Sequence, residues 1–178
     1  MAGSIAVREI SRANSADVAL QNEPFAVFGR LVPCYANRKW SYSTEIFPTV
    51  SEMTFPDELY DFARMAANTS FLGAYDGERC IGLAVVQEGF FRYRYLLDLK
   101  VNAAYRRRGV GAQLIGAACA LAAQRGDIGL YTCAQDNNLA ACRFYLKAGF
   151  EIGGFDSRAY DGTAQEGKSD IFFYKRIS

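Results

Sequence analysis

The sequence predicts a mixed α/β fold in which helices flank a central sheet. Short segments that alternate apolar and polar residues, the pattern of strands, recur along the chain. Two longer segments, residues 110–125 and 138–148, instead repeat apolar side chains at the three- and four-residue spacing of a helix. Asp76-Gly77, a strong signal for a tight hairpin turn, separates two of the strands and indicates antiparallel pairing in the sheet.

The first part of the chain is predicted to contain three strands. Residues 5–10 alternate, residues 25–32 are apolar and β-prone until a proline stops them, and residues 40–47 alternate large and small polar side chains. Residues 11–22 are polar, and we expect a turn or a short helix there.

Residues 56–67 are predicted to form a helix. The first three residues, Pro-Asp-Glu, suit a first helical turn, where proline is tolerated and carboxylates meet the positive end of the helix dipole. Leu59, Phe62 and Met65 then fall on one side, as a buried helix face requires.

The rest of the chain is predicted to alternate strands and helices without a repeat or a linker, so we expect a single domain over residues 1–178. The helices are residues 110–125 and 138–148, the second one capped by Asn137 or Asn138 and ended at Gly149. The strands cover residues 71–75, 80–87, 90–101, 128–134, 150–155 and 171–175, and a polar loop covers residues 161–168.

A basic loop, residues 105–112, lies between the central strand and the long helix. The first backbone N–H groups of a helix have no intrahelical partner, and the helix dipole makes them positive. Gly109 and Gly111 let an anion approach this backbone, and three consecutive arginines add charge. The loop therefore indicates a phosphate site, although a basic triplet is often only a solvated surface. Its spacing matches neither the nucleoside-triphosphate loop nor the dinucleotide fingerprint.

The composition excludes several functional classes. The formal net charge is +1 over 178 residues, which gives no reason to expect nucleic acid or an anionic membrane as a partner. No segment has the apolar length of a membrane span, and residues 1–11 lack the apolar core of a signal peptide, so we expect a cytoplasmic protein. The five cysteines contain no C-x-x-C pair and are expected to be reduced.

The chain contains no histidine, which excludes every catalytic site that depends on an imidazole. The remaining thiols and carboxylates lack the spacing of zinc ligands, so no metal is expected. Any proton transfer must therefore use tyrosine, carboxylates, thiols or water. Acyl transfer from an activated thioester to an amine is compatible with that limit.

The basic loop has the spacing Arg106-x-x-Gly109-x-Gly111, which resembles the acetyl-CoA pyrophosphate loop of the GNAT superfamily of N-acetyltransferases. A second block, residues 138–150, resembles that superfamily's later helix, which ends in Tyr-x-x-x-Gly-Phe and here contains Tyr145. The resemblance implies the superfamily's fold, a mostly antiparallel sheet splayed at the acetyl-CoA site. It also implies an enzyme that transfers acetyl from acetyl-CoA to an amine.

A closer resemblance, to the streptothricin N-acetyltransferases, covers most of the chain. It rests on residues 22–35, which begin Asn-Glu-Pro-Phe, and on residues 40–45, 135–138, 152–160 and 171–174. The resemblance implies acetylation of the β-lysine amine of streptothricin, a polycationic antibiotic that would lose a charge and be inactivated. The implied partner is a small-molecule amine, and the resemblance is compatible with a homodimer.

Two of the chain's departures from the streptothricin family's pattern each remove a glutamate. Leu97-Asp98 stands where members usually carry Glu-Asp, and Cys133 stands in place of the glutamate of Leu-Glu-Thr. Each lost carboxylate removes attraction for a polycationic substrate. The departures therefore leave the acceptor amine open.

The resemblance also implies roles for individual residues. Tyr145 is expected to protonate the departing CoA thiolate, since a phenol has an unperturbed pKa of ~10. Asp98 is expected to act as the base, with Glu45 or an ordered water as alternatives. The other substrate-side candidates are Asp156 and Tyr160, for which a turn or packing role is equally open. The residues expected to bind acetyl-CoA are Leu99, Val101, Arg106, Arg107, Arg108, Gly109, Val110, Gly111, Ala112 and Asn138.

Other functions remain open at this point. A protein or peptide N-acetyltransferase, or a polyamine N-acetyltransferase, would share the loop and the fold. A non-catalytic acetyl-CoA sensor is the alternative from a different class. Tyr145 argues against the sensor, because a protein that only binds has no need of an acid for the thiolate, whereas the lost carboxylates argue slightly for it.

Overall fold

A computed structural model describes residues 4–177, so residues 1–3 and residue 178 of the expected domain lie outside the described residues. The strands are β1 (Ala6–Glu9), β2 (Phe25–Ala36), β3 (Lys39–Met53), β4 (Thr69–Asp76), β5 (Arg79–Gln87), β6 (Tyr93–Val101), β7 (Gly129–Gln135), β8 (Glu151–Asp156) and β9 (Asp170–Arg176). The helices are α1 (Phe62–Met65), α2 (Val110–Gln124) and α3 (Leu139–Lys147), and 3₁₀ segments cover Arg12–Ala19 and Ala103–Tyr105.

The predicted fold class is confirmed. In the described part of the chain, helices flank a mostly antiparallel sheet of seven strands, and β2 and β3 form a two-stranded sheet of their own. None of the helices among residues 4–177 combines the length and the hydrophobicity needed to cross a membrane. The chain divides into two compact units, the second made of Phe25–Met53 and Tyr131–Arg176 and the first of the other described residues. The single domain expected from the sequence remains a prediction.

The first unit is built on four antiparallel strands in the order β1-β4-β5-β6. Asp76 pairs with Arg79, so the predicted hairpin turn joins β4 to β5 as expected. α2 packs its apolar face on these strands. That face consists of Val110, Leu114, Ile115, Ala118 and Ala122, all buried. Burying a Val, Leu or Ile side chain stabilises a fold by about 1.5–3 kcal/mol, so this contact fixes where α2 begins.

A β-bulge in β6 places one residue against the apolar core of the first unit. Val85 is the partner of Asp98, but Val86 is the partner of Leu96, so Leu97 is the extra residue. Leu97 packs against a cluster that includes Phe71 and Val85. A carboxylate there would be desolvated without a partner, which explains physically why leucine suits this position of the chain.

The second unit contains the long β2–β3 hairpin, the β8–β9 pair and α3. Asn37 and Arg38 form the tip of the first hairpin, both with left-handed backbone (φ 50° and 62°). β2 packs on α3 through Gly29, which forms a bridge with Asn138. A Cβ at Gly29 would lie 2.4 Å from the carbonyl oxygen of Glu45 in β3, so only glycine allows the β2 backbone to approach β3 this closely.

The predicted helix over residues 56–67 is wrong except for its last part. Residues 54–61 have no regular secondary structure, and α1 starts only after Asp61, whose carboxylate accepts from the Arg64 N–H (3.2 Å). Asn22 fixes the preceding segment, because its backbone N–H donates to Asp57 (2.6 Å) and its side chain donates to Glu58 (3.0 Å). These tertiary contacts override the local helix signals.

The predicted end of the second strand at Pro33 is also wrong. β2 continues through Pro33 to Ala36, where it pairs with Lys39 of β3. β2 pairs within its sheet only with β3 among the described residues, and the described contacts of its other edge are the Gly29–Asn138 bridge and the bond from the Leu31 N–H to the Asp136 carbonyl oxygen. Proline is tolerated on an edge strand because the missing N–H would face away from the ladder.

Candidate active site

The basic loop enters α2 with exposed backbone. Gly109 is the N-cap residue of α2, with left-handed backbone (φ 83°), and no side chain caps the helix. A Cβ at Gly109 would meet nothing within 4 Å, so the space in front of the helix is open. Arg107 and Arg108 are exposed. Uncapped N–H groups, the helix dipole and exposed guanidinium groups are features that favour anion binding, and phosphate binding by this loop remains a prediction.

Arg106 braces this loop from behind. Its guanidinium donates to the carbonyl oxygens of Val101 (3.0 Å), Pro24 (2.7 Å) and Glu23 (3.3 Å). The Glu23 carboxylate in turn accepts from the Asn102 side chain (3.1 Å) and from the Ala103 N–H. The side chain of Arg106 is therefore used inside the protein, which indicates a structural role, and its contact with a phosphate remains a prediction.

β6 presents two peptide groups away from its neighbour β5. The Asn102 N–H donates to the Ile81 carbonyl oxygen (2.9 Å), and alternate residues of an antiparallel strand face the same partner. The peptide groups of Leu99 and Val101 therefore point to the other edge of β6. That direction is the one expected for the backbone groups that would bind the pantetheine arm, although Val101 also accepts a hydrogen bond from Arg106.

Asp98 belongs to a hydrogen-bonded group that we call the Lys100 network, formed by Asn22, Glu58, Tyr60, Asp98 and Lys100. The Lys100 ammonium lies 3.0 Å from Asp98 Oδ2 and 2.5 Å from Glu58 Oε2. The Tyr60 hydroxyl donates to the same Asp98 oxygen (3.1 Å). One ammonium thus faces two carboxylates in a group that is largely removed from water.

The environment shifts the titration of the Lys100 network. Burial raises the pKa of Asp98, Lys100 and Tyr60 lower it, and the neighbouring Glu58 carboxylate raises it further. Burial alone would lower the pKa of Lys100, but the attraction of Asp98 and Glu58 raises it. Burial and both carboxylates also raise the pKa of Tyr60, so this phenol stays protonated. Asp98 is therefore a carboxylate whose environment makes it more basic than an ordinary aspartate.

Sequence reasoning missed Lys100, Glu58 and Tyr60. For Lys100 a signal was available, because residues 98 and 100 point to the same face of a strand. For Glu58 and Tyr60 the signal was misleading, since the segment was predicted as a helix. Only its extended path brings both side chains to β6.

In the second unit, α3 holds Tyr145 in an aromatic cluster. The Tyr145 ring lies 5.5, 5.4 and 5.6 Å from the ring centres of Phe144, Phe150 and Phe173. Only 6% of the residue is exposed. Packing on three sides fixes the ring, as a residue that donates a proton at a defined point requires.

The start of α3 is fixed by Asn138, whose side-chain oxygen accepts from the Ala141 N–H (3.2 Å). This confirms Asn138 as the cap, while its contact with acetyl-CoA remains a prediction. Cys142 on the same helix is fully buried, and burial raises the pKa of its thiol to about 12. A thiol in that state is a packing group and not a nucleophile.

Asp156 and Tyr160 lie in a second polar group, which we call the Asp170 cluster: Gln135, Asp136, Asp156, Tyr160 and Asp170. Tyr160 donates its hydroxyl to Asp170 Oδ1 (2.7 Å), and Asp156 is the register partner of Asp170 in the β8–β9 pair. Burial raises the pKa of Asp170, the Tyr160 hydroxyl lowers it, and Asp156 and Asp136 raise it by repulsion. Asp170 had not been singled out, although its position opposite Asp156 follows from hairpin pairing.

Glu45 does not join the Asp170 cluster through any described contact. Its carboxylate pairs with Arg30 across the β2–β3 hairpin (2.7 Å), and both side chains are about half exposed, 42% for Arg30 and 51% for Glu45. An exposed pair of this kind contributes little to stability. The structure thus places Glu45 on a hairpin surface, and its role as a base or substrate ligand remains a prediction.

Comparison with known proteins identifies the family. The model of the acetyltransferase (GNAT) family matches residues 37–150, which is more than half of the chain. The chain belongs to the GNAT family. It is an N-acetyltransferase, as the resemblance had implied.

Individual GNAT relatives match nearly the whole chain. This chain is 31% identical over 173 residues to streptothricin acetyltransferase A of Bacillus subtilis (strain 168), and the match covers 96% of this chain and 99% of the relative. Among solved structures, a Bacillus anthracis str. Ames protein assigned as a streptothricin acetyltransferase, in complex with acetyl coenzyme A, superposes with a TM-score of 0.88 at 29% identity, covering 98% of this chain and all of the other. Nourseothricin acetyltransferase shares the fold, with a TM-score of 0.81 at 22% identity.

Proposed function

We propose that this GNAT enzyme transfers acetyl from acetyl-CoA to a primary amine of a small cationic molecule, with streptothricin as the acceptor. The observation that carries the proposal is the identity of 31% with streptothricin acetyltransferase A over nearly the whole of both chains. The structural relative that binds acetyl coenzyme A supports the choice of donor. The departures at Leu97 and Cys133 concern the acceptor and not the donor.

The residues present fit acetyl-CoA. The uncapped start of α2, the open space before Gly109 and the exposed Arg107 and Arg108 offer N–H and guanidinium donors to a pyrophosphate. The peptide groups of Leu99 and Val101 that point away from β5 would hold the pantetheine amides. Arg106 and Glu23 keep the loop in place from behind.

Two side chains supply the proton transfers of this proposal. Asp98 takes a proton from the acceptor's ammonium group, directly or through water, so that the neutral amine can attack the thioester. Its raised pKa makes it a stronger base than an ordinary aspartate. Tyr145 donates its phenolic proton to the departing thiolate. Because the thioester is already activated, the protein mainly positions the amine and stabilises developing charge.

The test is thiol release from acetyl-CoA by the purified enzyme. We expect saturable release with streptothricin, and mass spectrometry should show one added acetyl group on its β-lysine. Streptothricin acetylated beforehand at that amine is the matched control and should give no release. Binding of acetyl-CoA without release on streptothricin, but with release on peptides or polyamines, would contradict this acceptor. Binding without release on any of them would favour a sensor.

Gly109→Val is expected to raise the KM for acetyl-CoA about tenfold or more, with a smaller effect on the KM for the amine. A β-branched residue is strained at a φ of 83°, so the loop must shift and the N–H groups lose their direction. The measurement is steady-state kinetics with each substrate varied in turn.

Gly126→Val is the matched control for that experiment. Gly126 lies at the other end of α2, has a similar φ of 79°, and its added Cβ would also meet nothing within 4 Å. Both variants should lose comparable stability, but only Gly109→Val should weaken the binding of acetyl-CoA. Equal KM values for acetyl-CoA in the two variants would show that the loop does not hold the pyrophosphate.

A further inference from the structure

The three carboxylates of the Asp170 cluster lack a cation. Asp136, Asp156 and Asp170 raise one another's electrostatic energy, yet among residues 4–177 none of the three has a lysine or arginine nitrogen within ion-pair distance. The basic side chains of the adjoining loop are engaged elsewhere. Arg158 pairs with Asp161 (2.6 Å), and the Lys168 ammonium contacts Gln165 and the Met53 sulfur.

The three carboxylates differ in the hydrogen bonds that they accept, and those of Asp170 are the weakest. Asp136 is buried but accepts from two backbone N–H groups, those of Asn137 (2.9 Å) and Ser169 (3.2 Å). Asp156 accepts from the Arg158 N–H (2.8 Å). Asp170 has only the neutral Tyr160 hydroxyl, and it is half-buried. A partly buried carboxylate with one neutral donor is the member most stabilised by a cation.

A second polar group, next to Tyr160, also has an unpartnered atom among the described residues. Gln135 is only 7% exposed, and its side chain hydrogen-bonds the Tyr160 hydroxyl. Its other polar atom, Oε1, is buried and has no hydrogen-bond partner. A buried oxygen without a donor destabilises the fold, so a donor is expected there. The orphaned amide oxygen and the carboxylate of Asp170 both require donors, and an organic ammonium supplies several N–H groups and the missing positive charge.

From these observations we infer that Asp170 and Oε1 of Gln135 bind an ammonium group of the acceptor substrate, and that Tyr160 orients Asp170 for this contact. The inference rests on the proposed function, and it adds two residues that determine specificity for cationic molecules. It assigns Tyr160 a positioning role through Asp170. A neutral amide or an uncharged sugar would leave the carboxylate uncompensated, so the cluster selects against them.

Asp170→Asn tests the inference with little change in shape, because asparagine keeps an oxygen that can accept from Tyr160. We expect the KM for streptothricin to rise about tenfold or more, since a hydrogen bond to a charged group contributes roughly 1.5–3 kcal/mol. The kcat and the KM for acetyl-CoA should change less than about twofold. Asp161→Asn is the matched control, since it removes the same charge from an exposed pair in the same loop. Equal KM values for streptothricin in the two variants would overturn the inference.

A binding measurement separates this inference from the proposed function. Calorimetry with spermine and with fully N-acetylated spermine reports cation binding without any turnover. The enzyme could fail to acetylate streptothricin and still bind spermine at least about tenfold more tightly than Asp170→Asn does. That result would contradict streptothricin as the acceptor and support the inference. If the wild-type protein does not bind spermine, or if the wild-type and Asp170→Asn proteins bind spermine equally, the inference is wrong.

Gln135→Met serves as a second variant if Asp170→Asn does not fold, as judged by circular dichroism. It removes the orphaned oxygen and keeps the volume of the side chain. We expect spermine affinity to fall at least about threefold. Unchanged affinity would overturn the assignment of Gln135 and Asp170 as cation ligands.

Discussion

Tyr145→Phe is expected to lower kcat about 10²- to 10³-fold, in the range that loss of a general acid produces. The phenyl ring keeps the contacts with Phe144, Phe150 and Phe173, so the packing of α3 should survive. The substitution removes the hydroxyl group, so the thiolate must then leave unprotonated. The KM for acetyl-CoA should change little, because the hydroxyl acts on the leaving group and not on the pyrophosphate.

Tyr75→Phe is the matched control for this prediction. Tyr75 is also buried (1% exposed), and its hydroxyl bonds Asp17 (2.8 Å) and Asn14 (2.6 Å). Removing that hydroxyl should lower the melting temperature and leave kcat unchanged. A retained kcat in Tyr145→Phe would exclude the phenol as the acid and would leave Tyr145 with a packing role.

Asp98→Asn is expected to lower kcat/KM about 10²-fold, because asparagine keeps the shape but cannot accept the proton. Asparagine can still accept from Tyr60 and Lys100, so the fold should persist. Full activity in Asp98→Asn would move the base to Glu45 or to water. The measurement is kcat/KM for the amine at saturating acetyl-CoA, as a function of pH.

The acid limb of that pH profile should report the pKa of Asp98 within the Lys100 network. Asp98 must be ionised to act, so activity falls as the pH drops through its raised pKa. Lys100→Met removes the cation that favours the ionised form, so the acid limb should move to higher pH. Glu58→Gln removes a repelling charge, so the limb should move to lower pH. An acid limb that is the same in all three proteins would show that Asp98 is only structural.

The sequence predicted the basic loop and both long helices because their signals are local. Glycine at the start of α2, the alternation of β4 and β5 and the asparagine cap of α3 act within a few residues of the chain. The resemblance to the GNAT family, which the comparison confirms, rests on the same local segments. The roles given to Tyr145, Asp98 and the loop residues remain predictions.

The segment before α1 shows where local reasoning fails. Pro56, Asp57 and Glu58 satisfy every rule for a helix start, yet Asn22 and Lys100 hold them in an extended path. Such contacts join residues far apart in the chain, and no periodicity within the segment reports them. The contacts of Arg106 also join distant residues, because its guanidinium binds three backbone carbonyls. Its contact with a phosphate remains a prediction.

The sequence by itself determined the class of fold, the position of the basic loop and the family, because each depends on short-range spacing. Only the tertiary structure decided which polar groups are paired and which are not. It gave Asp98 a lysine, left Asp170 with a single neutral donor and left Oε1 of Gln135 without any. The physical reason is that the free energy of a charge depends on its burial and on all its neighbours, which the folded chain alone brings together.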